Sequence, residues 1–102
     1  MLTLGTAPEQ LSVVLARGGA FHAELVNLDG AWAATDEVEL RFPLTAPVVW
    51  AAQRDAAVMR FARSAAAVTA LLDAQQGYRA VQLWYIADGL DVLWAAGSVH
   101  VA

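Results

Sequence analysis

The sequence predicts an all-β protein, an antiparallel β-sandwich of about seven to eight strands with one short helix between two late strands. Three observations lead there. Apolar and polar residues alternate over runs of five to ten residues, as in Glu37 to Phe42. Turn signals recur every eight to twelve residues, at Gly18-Gly19, Asp29-Gly30 and Asp88-Gly89. Only one stretch, after Ser64, carries apolar residues at helical spacing.

Met1 to Pro8 reads as a short N-terminal arm, and residues 9–102 as a single domain. Gln10 to Arg17 is the first expected strand, with Leu11, Val13 and Leu15 alternating against Ser12, Val14 and Ala16. Gly18-Gly19 turns the chain into a second strand, Phe21 to Leu28. Asp29-Gly30 is a hairpin signal, because glycine tolerates positive φ. Trp32 follows as an apolar plug. Glu37 to Phe42 then sets Val38, Leu40 and Phe42 on a buried face and Glu37, Glu39 and Arg41 on a wet one. Pro43 lacks the N–H that a ladder needs and ends that strand.

Val48 to Gln53 is expected to be a strand, Arg54-Asp55 a turn, and Ala57 to Ala62 a further strand with Met59 and Phe61 on one face. Ser64 is suited to cap a helix of about three turns whose stripe is Ala65, Val68, Leu71 and Leu72, with Gly77 beyond its end. Tyr78 to Ala87 and Leu90 to Val101 form a closing hairpin around Asp88-Gly89. A regular ladder pairs Leu83 with Trp94 and Trp84 with Leu93. It places Val81, Leu83, Tyr85, Val92, Trp94 and Ala96 on one face and Gln82, Trp84, Ile86, Asp91, Leu93 and Ala95 on the other. Both faces are apolar at their middle, so both need cover.

Composition narrows the function. Ten acids oppose six bases, all arginine, for a net charge of −4. Phosphate recognition needs a basic patch, so no nucleic-acid partner is expected. The 59% apolar content excludes a disordered chain. Arg60 and Arg63 interrupt the longest apolar run, so no membrane span is expected. A basic n-region followed by an apolar core is missing, which speaks against a signal peptide. Without cysteine there is no disulfide and no thiolate metal site.

The sequence points away from catalysis. His22 and His100 are the two histidines, and both read as ordinary strand residues. Ser98 and His100 share a strand face but lack a third orienting group. Asp36, Glu37 and Glu39 cluster, as do Asp88 and Asp91, and turns and wet strand faces account for them. The glycines match no phosphate loop and the acids no calcium loop. No cofactor, no metal and no enzymatic activity are expected. Four tryptophans among 102 residues remain, enough to fill a core and still leave one at an interface. Trp84, with Leu93 and Tyr85 nearby, is the candidate contact.

The order of these features resembles the LtfC-like family, small β-sandwich proteins encoded among the structural genes of actinobacteriophages. The resemblance runs from Leu4-Gly5-Thr6-Ala7-Pro8 and Leu11-Ser12-Val13-Val14-Leu15 through Arg17-Gly18-Gly19-Ala20-Phe21, Asp29-Gly30, Trp32 and Val38-Glu39-Leu40-Arg41-Phe42. It continues in Val81-Gln82-Leu83-Trp84-Tyr85 and Asp88-Gly89, and is most telling in Leu93-Trp94-Ala95-Ala96-Gly97-Ser98-Val99. It implies a non-enzymatic component of a tailed-phage virion, in the head or tail, that assembles with its own copies or with other phage structural proteins. A carbohydrate- or host-surface-binding module is the alternative, with exposed tryptophans lining its groove.

Overall fold

The computed structural model describes residues 9–27, 30–75 and 79–102, with the backbone alone for Glu9 and Gln10. The expected arm at residues 1–8, Asp29, the helix stop at Gly77 and the strand start at Tyr78 lie outside the described residues. Eight strands and one helix follow one another: β1 (Glu9–Leu15), β2 (Phe21–Val26), β3 (Glu37–Phe42), β4 (Val48–Ala51), β5 (Gln53–Asp55), β6 (Val58–Arg63), α1 (Ala65–Ala74), β7 (Ala80–Ala87) and β8 (Leu90–Val101). They form two sheets, one of five strands in the order β1-β8-β7-β3-β4 and one of three in the order β2-β6-β5.

The strand faces follow from alternation. On β3, Val38, Leu40 and Phe42 are buried, and on β6 Met59 and Phe61 are. Burying such side chains stabilises by about 1.5–3 kcal/mol each. The inward rows of both sheets meet in one apolar cluster, which α1 joins through Val68, Leu71 and Leu72. Ser64 caps α1 as its residue type predicts, its Oγ accepting from the Ala67 N–H at 3.2 Å.

Strand direction and partners differ from the sequence expectation at four places. First, β1 runs parallel to β8, so the five-stranded sheet is mixed and not purely antiparallel. Alternation specifies which face a residue takes, and it is silent on direction when no short turn links the strands.

Second, Gly30 does not close a hairpin. β2 pairs with β6, and β3 belongs to the other sheet. Third, Arg54 and Asp55 lie within β5, and the turn falls at Ala56-Ala57, with Ala56 at φ 52°. That turn is held from outside its hairpin. The Asn27 N–H donates to the Ala57 carbonyl at 2.8 Å and the Trp32 N–H to the Ala56 carbonyl at 2.9 Å. Before it the chain breaks at Ala52 and passes from one sheet to the other.

Fourth, the β7–β8 ladder shifts register at Leu83/Trp84. Trp84 pairs with Leu93 as expected, but Leu83 pairs with Ala95, leaving Trp94 as the extra residue. The bulge turns both Trp94 and Ala95 inward, and Ala96, not Ala95, faces out beside Gln82. Asp88 and Gly89 make the hairpin turn at φ 51° and 77°, the positive values that a two-residue loop of this hand requires.

Gly97 stands opposite Leu11 in the parallel pair. A Cβ at residue 97 would overlap the Leu11 carbonyl, which is backbone and has nowhere to go. Gly97→Ala is therefore expected to push β1 off β8 and cost roughly 2–4 kcal/mol, measured as a lowered urea midpoint.

Candidate functional site

The outer face of the five-stranded sheet carries the most distinctive surface chemistry. Leu93, Trp84, Glu39 and Ala51 lie in one cross-strand row, and Ala96, Gln82, Arg41 and Val49 in the next. Trp84 is at the centre of this face, half-buried. Its Nε1–H donates to Gln82 Oε1 at 2.9 Å, two residues back on the same face. The Arg41 guanidinium lies over the Trp84 ring, 4.6 Å from its centroid.

Arg41 reaches across β7. Its Nη2 is 2.9 Å from Glu39 Oε1 and 3.0 Å from Asp91 Oδ2. The side chain thereby ties β3 to β8 over the top of the indole. Burial works against the charge, but the hydrogen bonds to Asp91 and Glu39 outweigh it and raise the Arg41 pKa above its ordinary value. A cation over an aromatic ring contributes about 0.5–2 kcal/mol, and an exposed ion pair at most about 1 kcal/mol. The cluster therefore orders this face more than it stabilises the fold.

The three residues singled out from the sequence do not form one patch. Trp84 and Leu93 are direct cross-strand neighbours on the outer face. Tyr85 points inward, as its place in the alternation requires. It stacks on Trp94 with centroids 4.5 Å apart and planes at 8°, and lies 6.1 Å from the Trp32 ring. Trp32 thus plugs the core as expected, with its Nε1–H donating to the Ala57 carbonyl at 3.1 Å. The Tyr85 hydroxyl donates to Asp36 Oδ1 at 2.7 Å, and the Ala33 N–H donates to Asp36 Oδ2 at 2.8 Å. Asp36 is buried at this junction as a structural acceptor.

The remaining chemical candidates stand apart from one another. His22 and His100 are exposed on different sheets. The Ser98 Oγ and His100 Nε2 are 3.3 Å apart. Among the described residues, no group of three or more His, Cys, Asp or Glu is placed to hold a metal ion. An open groove of about 600 Å³ lies where the chain crosses between sheets, bordered by Asp36, Glu39, Ala52, Arg54 and Met59. Arg54 donates to the Asp36 carbonyl at 3.0 Å on its margin. No helix among the described residues is long and apolar enough to cross a membrane.

Alternation alone places Arg41 and Trp84 on wet or doubtful faces. Their contact depends on β3 lying beside β7, which no local signal announces. The chain matches no protein-family model and no curated protein sequence.

The Tyr85–Asp36 bond has a measurable consequence. The hydrogen bond to Asp36, with burial and that carboxylate's charge, pushes the Tyr85 phenol up from 10.0 to about 12. The neutral phenol is the form the fold favours. Its stabilisation is full below the unfolded value near 10.0 and is lost as pH rises through about 12. Tyr85→Phe is expected to lower stability by about 1–2 kcal/mol at neutral pH and to flatten the decline between these pH values, read from urea midpoints.

Proposed function

We propose that this protein is a non-enzymatic assembly component that works through protein–protein contacts. The two sheets serve as the leaves of a β-sandwich around their shared core. The observation that carries this reading is apolar surface left over after that core is filled. Val14 is 59% exposed and Val49 47%, both on the outer face of the five-stranded sheet, where Trp84 and Leu93 are also only half-covered. The helix does not cover this face, since its buried residues belong to the inner cluster. Apolar residues displayed on one sheet favour a macromolecular partner.

The resemblance to LtfC-like proteins supports a setting in a tailed-phage virion, with copies of the chain and other phage structural proteins as partners. The charge balance supports proteins over nucleic acid, because Arg17, Arg41 and Arg60 each pair with a carboxylate of the chain itself. The carbohydrate-binding alternative asks for an aromatic ring free to stack on a sugar. Arg41 over the Trp84 ring weighs against it.

Light scattering coupled to size-exclusion chromatography, from micromolar to millimolar protein, is expected to show a discrete oligomer. Sedimentation with purified actinobacteriophage particles is expected to retain the chain. A monomer throughout that also fails to bind particles would overturn the assembly reading. A shift of tryptophan fluorescence with one glycan from a broad panel would favour the alternative.

A further inference from the structure

The sheet edges differ in how they are guarded, and the difference points to a specific mode of self-association. β1 is an outer strand of the five-stranded sheet, and among the described residues no strand pairs with its far side. An open strand edge is a template for another strand. The opposite edge, β4, is entered from Pro47, and Arg63 stands against it. The Arg63 Nη2 donates to the Ala51 carbonyl at 3.5 Å and its guanidinium lies 6.0 Å from the Trp50 ring. In the smaller sheet, β5 consists of exposed Gln53, Arg54 and Asp55, and β2 carries Glu24 paired to Arg60. From Leu11 to Ala16, β1 and its exit carry no charge and no proline.

The backbone of β1 specifies which groups are open. The Leu15 carbonyl accepts from the Ala102 N–H at 2.9 Å, so Leu15 directs its backbone groups toward β8. Successive residues of a strand direct theirs to opposite sides. Ser12 and Val14 therefore direct an N–H and a carbonyl each to the free edge. The Ala16 carbonyl is already taken by the Gly19 N–H at 2.9 Å, which limits the open segment at that end.

We propose that β1 pairs antiparallel with β1 of a second copy about a two-fold axis through Val13, joining two five-stranded sheets into one of ten. In this register Ser12 of one copy exchanges both backbone hydrogen bonds with Val14 of the other, twice over, and the two Val13 residues meet between them. Leu11 falls opposite Leu15, so the inward apolar row continues across the axis. Ser12 and Val14 continue the outward row, and the contact covers the exposed Val14. The inward residues Leu11, Val13 and Leu15 read alike from either end, so each apolar side chain of that row meets another across the axis.

This pairing rests on the assembly reading and is separable from it. Val14→Pro removes an N–H that faces the open edge, so it costs no bond within the chain. The double variant Ser12→Lys, Val14→Lys sets like charges directly opposite one another across the axis. Both are expected to fold, by near-ultraviolet circular dichroism, and to weaken dimerisation at least tenfold in light scattering. The chain has no cysteine, so single Ser12→Cys and Val14→Cys variants report register cleanly. Under mild oxidation their equimolar mixture is expected to cross-link into the mixed dimer well above either variant alone. A wild-type chain that stays monomeric to millimolar concentration overturns the pairing, while binding to phage particles still decides the assembly reading. A dimer that survives Val14→Pro but dissociates on Leu93→Asp overturns the edge contact and keeps the assembly reading, with the Trp84 face as its seat.

Discussion

Trp50 lies where the two sheets meet, 4.8 Å from Phe42 on its own sheet and 5.7 Å from Phe21 on the other. Neither sheet can bury its inward row alone. The three-stranded sheet has only Phe21, Ala23, Leu25, Met59 and Phe61 to offer, and those on β2 are just half-covered even in the intact protein. The chain crosses between sheets after β1, after β2, at Ala52 and around α1. Each crossing commits both sheets to one shared core, and the turns depend on it as well. The Ala56-Ala57 turn is held by Asn27 and Trp32, and Trp32 is in turn packed on Tyr85 and Trp94.

This arrangement divides the aromatic residues by task. Trp32, Trp50, Trp94 and Tyr85 line the inside of the five-stranded sheet or its approaches. Trp84 alone of the tryptophans faces outward, with its ring under Arg41 and its N–H on Gln82. The ion pairs beside it link β3 to β8, so the outer face is a prearranged surface and not a set of independent side chains. Rigid, half-covered aromatic residues of this kind lose little conformational freedom on meeting a partner.

The edge of β1 is a second consequence of topology. A strand that begins the described chain joins the sheet beside the strand that ends it, and it does so in parallel. Gly97 permits that approach, because the Leu11 carbonyl occupies the space a side chain would need. The inner row of β1, Val13 and Leu15, is thereby buried, while among the described residues no strand pairs with the side away from β8.

By itself the sequence determined the β-rich class, seven of the eight strands, the helix with its Ser64 cap, the Asp88-Gly89 turn and the buried row of β3. These depend on neighbours within a few residues, where side-chain period and turn geometry act directly. The mixed direction of the large sheet, the pairing of β2 with β6 and the true turn at Ala56-Ala57 depend on residues far apart in the chain. So does the bulge that seats Trp94 and Ala95 on the same side. The candidate site divides along the same line. Trp84 and Leu93 were legible as neighbours because a two-residue turn set their register, whereas the Arg41 that covers Trp84 became its neighbour only when β3 paired with β7. Alternation is a local property of a strand, but the choice of which strand lies beside it is made by the packing of the whole core.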